Sequence, residues 1–172
     1  MKKWLLLVMS VLLVGCAEKV PHLEEYVGQS LVIAVIGDAP DVRETNVTFE
    51  EIQLEDLLFM EFGDYDGVFV MKDYLQEASA AEYADVYTQS KIPFFFIEAT
   101  KGSNPFIYAE QTYNETPEYV NNMEFATGYI SAGDPQIGST TITFGLYNDI
   151  KNEETIKGTY SIIFKEIENH VK

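Results

Sequence analysis

Three short runs constrain this chain more than anything else in it. "LVIAVIG" (31–37), "DGVFVM" (66–71) and "IPFFFIE" (92–98) are almost continuously apolar and rich in β-branched or aromatic residues. A strand that alternates buries one face, whereas a strand apolar at every position buries both, as in a parallel sheet covered on each side. Between these runs lie "VTFEEIQL" (47–54), which alternates and predicts a strand, and "LEDLLFMEF" (54–62), which predicts a short helix. "DYLQEASAAEYADVYTQSK" (73–91) is rich in Ala, Glu and Gln and predicts one continuous helix. The order strand, helix, strand, helix, strand is that of βαβ units with right-handed crossovers. The expected fold is therefore α/β: a small three-layer, Rossmann-like sheet with runs 31–37, 66–71 and 92–98 as parallel central neighbours.

The second half differs. Residues 99–122 are long, polar and punctuated, as loops with functional roles often are. "EFATGYISA" and "TTITFGLYN" flank "GDPQIGS" and predict a β-hairpin. In the last stretch Ile156, Tyr160, Ile163, Ile167 and Val171 fall at helical spacing, with Asn152 placed to cap and Glu153 and Glu154 in the first turn. Gly158 weakens that helix on propensity.

The chain opens "MKKWLLLVMSVLLVGC". Two lysines, a short apolar run and a small residue before cysteine have the layout of a secretory signal. The apolar run is about half of the roughly 20 residues a membrane-spanning helix needs. "LVGC" resembles the lipobox of bacterial lipoprotein precursors. That resemblance implies cleavage after residue 15 and a diacylglyceryl group on the sulfur of Cys16, with palmitate-type chains holding the protein on the extracytoplasmic face of the cell membrane. A thiolate is the side-chain nucleophile suited to that alkylation. Each buried methylene contributes about 0.8 kcal/mol, so two chains anchor stably where one does not. Residues 1–15 then read as signal peptide, 16–30 as a tether and 31–172 as a single domain. No second cysteine exists, so a hydrophobic core must stabilise that domain without a disulfide.

Charge narrows the partners. With 28 Asp+Glu against 11 Lys+Arg the net charge is −17, and loss of Lys2 and Lys3 with the signal makes it more negative. Nucleic acid is a poor partner for such a field, and none is expected; a basic protein, a glycan or a cation is compatible with it. Hydrophobic content of 47% with 11 Tyr and 11 Phe argues for a packed core. Across "DGVFVMKDYLQEAS", "KIPFFFIE", "ATGYI" and "GLYND" the chain resembles a group of uncharacterised predicted lipoproteins of Gram-positive bacteria. That implies an envelope location and brings no known activity or site residue with it.

Most catalytic signatures are missing. The sequence has no G-x-x-x-x-G-K-[ST], no G-x-G-x-x-G after the first strand, no G-x-S-x-G and no H-E-x-x-H. His22 and His170 have no partner at motif spacing. "DYDG" (64–67) fails as a calcium loop because its glycine comes two positions early and Leu75 stands at position twelve. The N-x-T sequons at Asn46 and Asn114 are read as chance. Two candidate sites remain. Ligands of open α/β sheets bind beyond the carboxyl ends of the strands, which would gather Asp38, Lys72, Asp73, Glu98 and Thr100 on one rim. There Asp38, Asp73 and Glu98 could hold Mg²⁺ or Ca²⁺, or act as an acid–base pair. The same residues also have structural readings: Asp73 with Gln76 as a capping box, Asp38 as a turn residue before Pro40, Lys72 as the counter-charge of Glu98. The second candidate is the loop, where Phe106, Tyr108, Tyr113 and Tyr119 could stack on sugars or anchor a protein, or fold back over the sheet. The expectation is a lipid-anchored binding module; the alternative is a divalent-cation-dependent hydrolase or phosphotransfer enzyme at the rim.

Overall fold

A computed structural model describes residues 23–118, 124–132 and 138–170. Cys16, His22, Tyr119 and Val171 lie outside the described residues. The chain forms a mixed α/β structure around one six-stranded sheet: β1 (Leu31–Ile36), β2 (Val47–Ile52), β3 (Gly67–Val70), β4 (Phe94–Ile97), β5 (Glu124–Ser131) and β6 (Ser139–Gly145). The spatial order is β2-β1-β3-β4-β5-β6. β1, β2, β3 and β4 are parallel, with Leu31 opposite Val47, Ile33 opposite Gly67 and Val68 opposite Phe94. β5 runs antiparallel to β4, and β6 antiparallel to β5. The three apolar runs are thus parallel neighbours at the centre, as their composition predicts. The connection between β5 and β6 passes through residues outside those described.

Period-two alternation splits the central strands between two cores. Ile33, Val35, Phe69, Phe95 and Ile97 point to one face. Ala34, Ile36, Val68, Val70, Phe94 and Phe96 point to the other. The first face is covered by α4 (Glu153–His170), which buries Tyr160, Ile163, Phe164 and Ile167 against it. Phe69 and Phe164 stack at 6.2 Å between ring centroids with an interplanar angle of 5°. Asn152 caps the helix through its Oδ1, which accepts the Thr155 N–H at 2.9 Å. Gly158 is better explained by packing than by propensity. A Cβ there would stand 2.2 Å from the Leu23 side chain, so the glycine makes room for the segment that precedes β1.

Of the expected tether 16–30, residues 16–22 lie outside the described residues, and 23–29 pack. Tyr26 is buried, its N–H donates to Glu44 Oε1 at 3.2 Å and its hydroxyl donates to the Gln29 carbonyl at 2.9 Å. Arg43 Nη2 donates to the Leu23 carbonyl at 2.6 Å and to Ser161 Oγ at 2.9 Å. Ser161 Oγ in turn donates to Glu44 Oε1. Residues 23–29 are therefore held to α4 by a clasp of Arg43, Glu44 and Ser161.

The other face is covered by pieces: a 3-10 turn at Leu54–Leu58, then α1 (Leu75–Ala78), α2 (Ala84–Gln89) and α3 (Asn104–Ile107) with further 3-10 turns before α1 and α2. The helix expected over 54–62 shortens to the 3-10 turn, leaving Phe59 86% exposed. The continuous helix expected over 73–91 is broken. Ala80 is extended (ψ 142°), and the Ser79 hydroxyl donates back to the Gln76 carbonyl at 2.7 Å. A serine that satisfies the preceding turn with its own side chain competes with the helical ladder.

Candidate functional site

Beyond the carboxyl ends of β1, β3 and β4 lie two adjoining clefts. One, of about 620 Å³, runs from Lys72 and Gln76 across Glu98, Thr100 and Lys101 to Glu124, Asp149 and Lys151. Its neighbour, of about 650 Å³, is lined by Gly37, Asp38, Met71 and Tyr74. Lys72, Asp73 and Glu98 belong to both and form the wall between them. The rim exists because three parallel strands stop together. Gly37, at φ 101°, turns the chain away from β1 while approaching Met71, whose Cβ a side chain at Gly37 would meet at 3.0 Å.

Glu98 is the centre of the larger cleft. Its N–H donates to the Phe125 carbonyl at 2.6 Å, prolonging the β4–β5 pairing by one residue. Its backbone then enters the left-handed region at φ 56°. For a glutamate this costs on the order of 1–3 kcal/mol, and such residues concentrate at ligand sites. Two other non-glycine residues among those described share this conformation, Asn148 (φ 49°) and Asp149 (φ 58°). Asp149 lines the same cleft and Asn148 adjoins it. Glu98 and Asp149 thus bring left-handed backbone into one cleft, and Asn148 precedes Asp149 in the chain.

The electrostatics are mixed in sign. Lys151 Nζ sits 2.5 Å and Lys72 Nζ 3.5 Å from Glu98 Oε2. Partial burial pushes the Glu98 carboxyl up, but the hydrogen bond and charge of Lys151, with Lys72 behind it, hold it below the ordinary range. Glu124, at the start of β5, is displaced the opposite way. Its desolvation raises it, and the Gly102 N–H bonded to it recovers only part. Lys101 donates to the Tyr113 carbonyl at 2.8 Å and lies 4.9 Å above the Tyr113 ring. The Tyr113 hydroxyl accepts the Thr100 N–H at 2.9 Å.

The sequence-derived rim therefore assembles, with corrections. Asp38, Lys72, Asp73 and Glu98 line one cleft together, as expected, while Thr100 joins Lys72, Asp73 and Glu98 in the other. The trio Asp38, Asp73 and Glu98 does not gather as a ligand set: among the described residues no three acidic, histidine or cysteine side chains are grouped to hold a metal ion. The place a Mg²⁺ or Ca²⁺ would take beside Glu98 is taken by two ammonium groups. The Asp73–Gln76 capping box is not formed either. Asp73 lies inside the 3-10 turn that Met71 opens, and Gln76 Oε1 accepts the Asn114 N–H at 2.7 Å instead. In the loop, Phe106 is core rather than contact surface, stacked on Phe96 at 3.6 Å between centroids. Tyr113 is tied down, its N–H donating to Ser79 Oγ at 2.7 Å. Tyr108 is 47% exposed and lies outside both clefts. Sequence reasoning missed Glu124, Lys101, Asp149 and Lys151. The strand-end rule applies to carboxyl ends of parallel strands, and Glu124 reaches the rim from the amino end of an antiparallel one.

The fold class is thus mixed α/β with a polar strand-end cleft, and no helix among the described residues is long and apolar enough to cross a membrane. No family model matches the chain, and no curated protein or solved structure matches it either.

Proposed function

We propose that this protein is a binding module, tethered through lipid on Cys16 to the extracytoplasmic face of a bacterial membrane, that takes a hydroxyl-rich polar ligand such as a glycan segment in the Glu98 cleft. The sheet belongs, in this reading, to a Rossmann-like three-layer arrangement with a C-terminal hairpin and helix. The observation that carries the proposal is that Glu98 and Asp149, both in left-handed backbone, line one cleft. Its chemistry suits hydroxyls. Donors (Lys72, Lys101, Lys151), acceptors (Glu98, Glu124, Asp149) and side chains that do both (Gln76, Asn114, Thr100) face one another at close range. With Asp73 and Glu118 also in the lining, a highly charged anion would meet five acidic side chains and a highly charged cation three lysines. The test is amide chemical-shift mapping with a panel of envelope oligosaccharides. Perturbations should fall on Glu98, Thr100, Asp149 and Lys151, and a ligand whose shifts map elsewhere would displace this site. Lipidation is tested separately: Cys16→Ala should abolish incorporation of labelled palmitate, and unchanged labelling would refute the anchor.

A second reading rests on a different observation. Glu98 and Glu124 share one cleft and their carboxyls are displaced in opposite directions, so that Glu124 holds its proton to higher pH than Glu98 does. Acid–base hydrolysis of a glycosidic bond is the reaction such a pair could perform. Turnover of an aryl glycoside that vanishes in Glu124→Gln supports it; binding without turnover leaves the module.

A further inference from the structure

The sheet has two open edges, and they are not alike. β2 ends it on one side with Glu50 and Glu51 exposed in mid-strand. Charged residues there are a standard defence against edge-to-edge pairing. β6 ends it on the other side and has none of these defences. From Gly138 to Asn148 the chain carries no charged residue and no proline. Its seven strand residues are Ser139, three threonines, Ile142, Phe144 and Gly145, and all but Ile142 and Phe144 are exposed. The register irregularity of the β5–β6 pair lies at Glu124–Ala126, the far end from Ser139. Among the described residues, no strand pairs with the outer edge of β6.

We propose that the β6 edge is a homodimer interface, in which β6 of a second copy adds antiparallel to make a continuous twelve-stranded sheet. The occupant follows from charge. A chain of net −17 repels its own copies at almost every approach. An isologous contact places each residue against the same stretch of its partner, so it is tolerated only where that stretch carries no charge. The β6 edge meets this condition, while a β2 pairing would bring Glu50 and Glu51 of each copy diagonally beside those of the other. A basic partner would instead be drawn to the acidic remainder of the surface. Pairing Ser139–Gly145 with itself in full puts Ile142 on the twofold axis and sets Thr141 against Thr143 of the partner. Threonine–threonine pairs are favourable cross-strand neighbours. The inference is independent of the cleft and of its ligand.

The experiment is the protein molar mass of the full chain in detergent, by light scattering over a concentration series. The expected result is a monomer–dimer equilibrium that Thr143→Lys weakens by roughly tenfold or more, because two like charges then face threonines and each other's field across the axis. Thr141→Glu combined with Thr143→Lys should restore it, since each lysine then meets a partner glutamate. Far-UV circular dichroism establishes that each variant is folded, and the charge-restored double variant keeps the inference testable should the single variant unfold. A parent that is monomeric throughout overturns the proposal. So does a dimer indifferent to Thr143→Lys, or one that the double variant fails to restore.

Discussion

One face of the sheet is closed by a single 18-residue helix and the other by three helical pieces of four to six residues joined by turns. Both buried layers are aromatic: Phe69, Phe95, Tyr160 and Phe164 under α4, and Phe94, Phe96, Tyr87 and Phe106 opposite. What differs is the accounting of backbone polar groups. A long helix leaves unsatisfied N–H and C=O groups only at its two ends, while three short pieces expose six ends. Side chains take up part of this: the Tyr87 hydroxyl donates to the Ala78 carbonyl at 2.8 Å and the Ser79 hydroxyl to the Gln76 carbonyl at 2.7 Å, while Ser79 Oγ and Gln76 Oε1 accept the Tyr113 and Asn114 N–H groups of the following loop. The piecemeal face therefore carries the polar side chains, and its Gln76–Asn114 and Tyr113–Thr100 bonds form one wall of the cleft. The face built less regularly is the one that supplies polar side chains to the cleft.

The sharpest way to break this comparison is to remove equal bulk from the two faces. Phe164→Ala should cost about 3–5 kcal/mol in a cooperative denaturant transition, since Phe164 is fully buried among Tyr26, Phe49, Phe69 and Tyr160. Hydrogen exchange should then show α4 amides opening only with the whole molecule, and those of α1 to α3 opening below that limit. Equal protection of the two faces would contradict the distinction.

The next effect is polar. Ser79→Ala deprives the Tyr113 N–H of its acceptor and should cost about 1–3 kcal/mol. It should also speed exchange at Tyr113 and Asn114 more than anywhere on α4. Smaller again is Asn152→Ala, which uncaps α4 for about 1 kcal/mol and should leave the cleft amides unchanged. A loss confined to the opposite pattern would mean that the two faces are coupled.

The smallest expected effect is in pH. Glu98 is lowered on folding, so the stability it lends is present above the ordinary carboxylate range and lost as pH falls through its folded value. Glu124 is raised, so its contribution is present below the ordinary range and lost as pH rises through its folded value. Chemical denaturation across acidic pH should therefore lose one slope in Glu98→Gln and the opposite slope in Glu124→Gln. Identical profiles for the two variants would show that they do not titrate apart.

The same contrast explains what could be read in the sequence. β1, β3 and β4 were legible because burial on both faces leaves continuous apolar runs, and α4 because its 3.6-residue stripe is long. The break at Ser79–Ala80 was not, since alanine-rich composition favours helix on both sides of it and the bond that stabilises the break comes from Tyr113, 34 residues away. Gln76 shows the same limit: at close range it matches a cap for Asp73, while its actual partner is Asn114. Glu98 was legible from the strand-end rule, but the ammonium that neutralises it most closely, Lys151, comes from the link before α4.

The clasp of Arg43, Glu44 and Ser161 has a mechanical consequence. It grips the chain at Leu23 and Tyr26, while Gln29 further along bonds Glu168 near the other end of α4. The segment thus lies along the helix and is fastened at several points along its length. A pull arriving from upstream meets these fastenings as a load shared in shear, before it reaches the first backbone pair of β1. The strands that shape the cleft are thereby buffered, because a load on the preceding segment is taken first by a side-chain buckle.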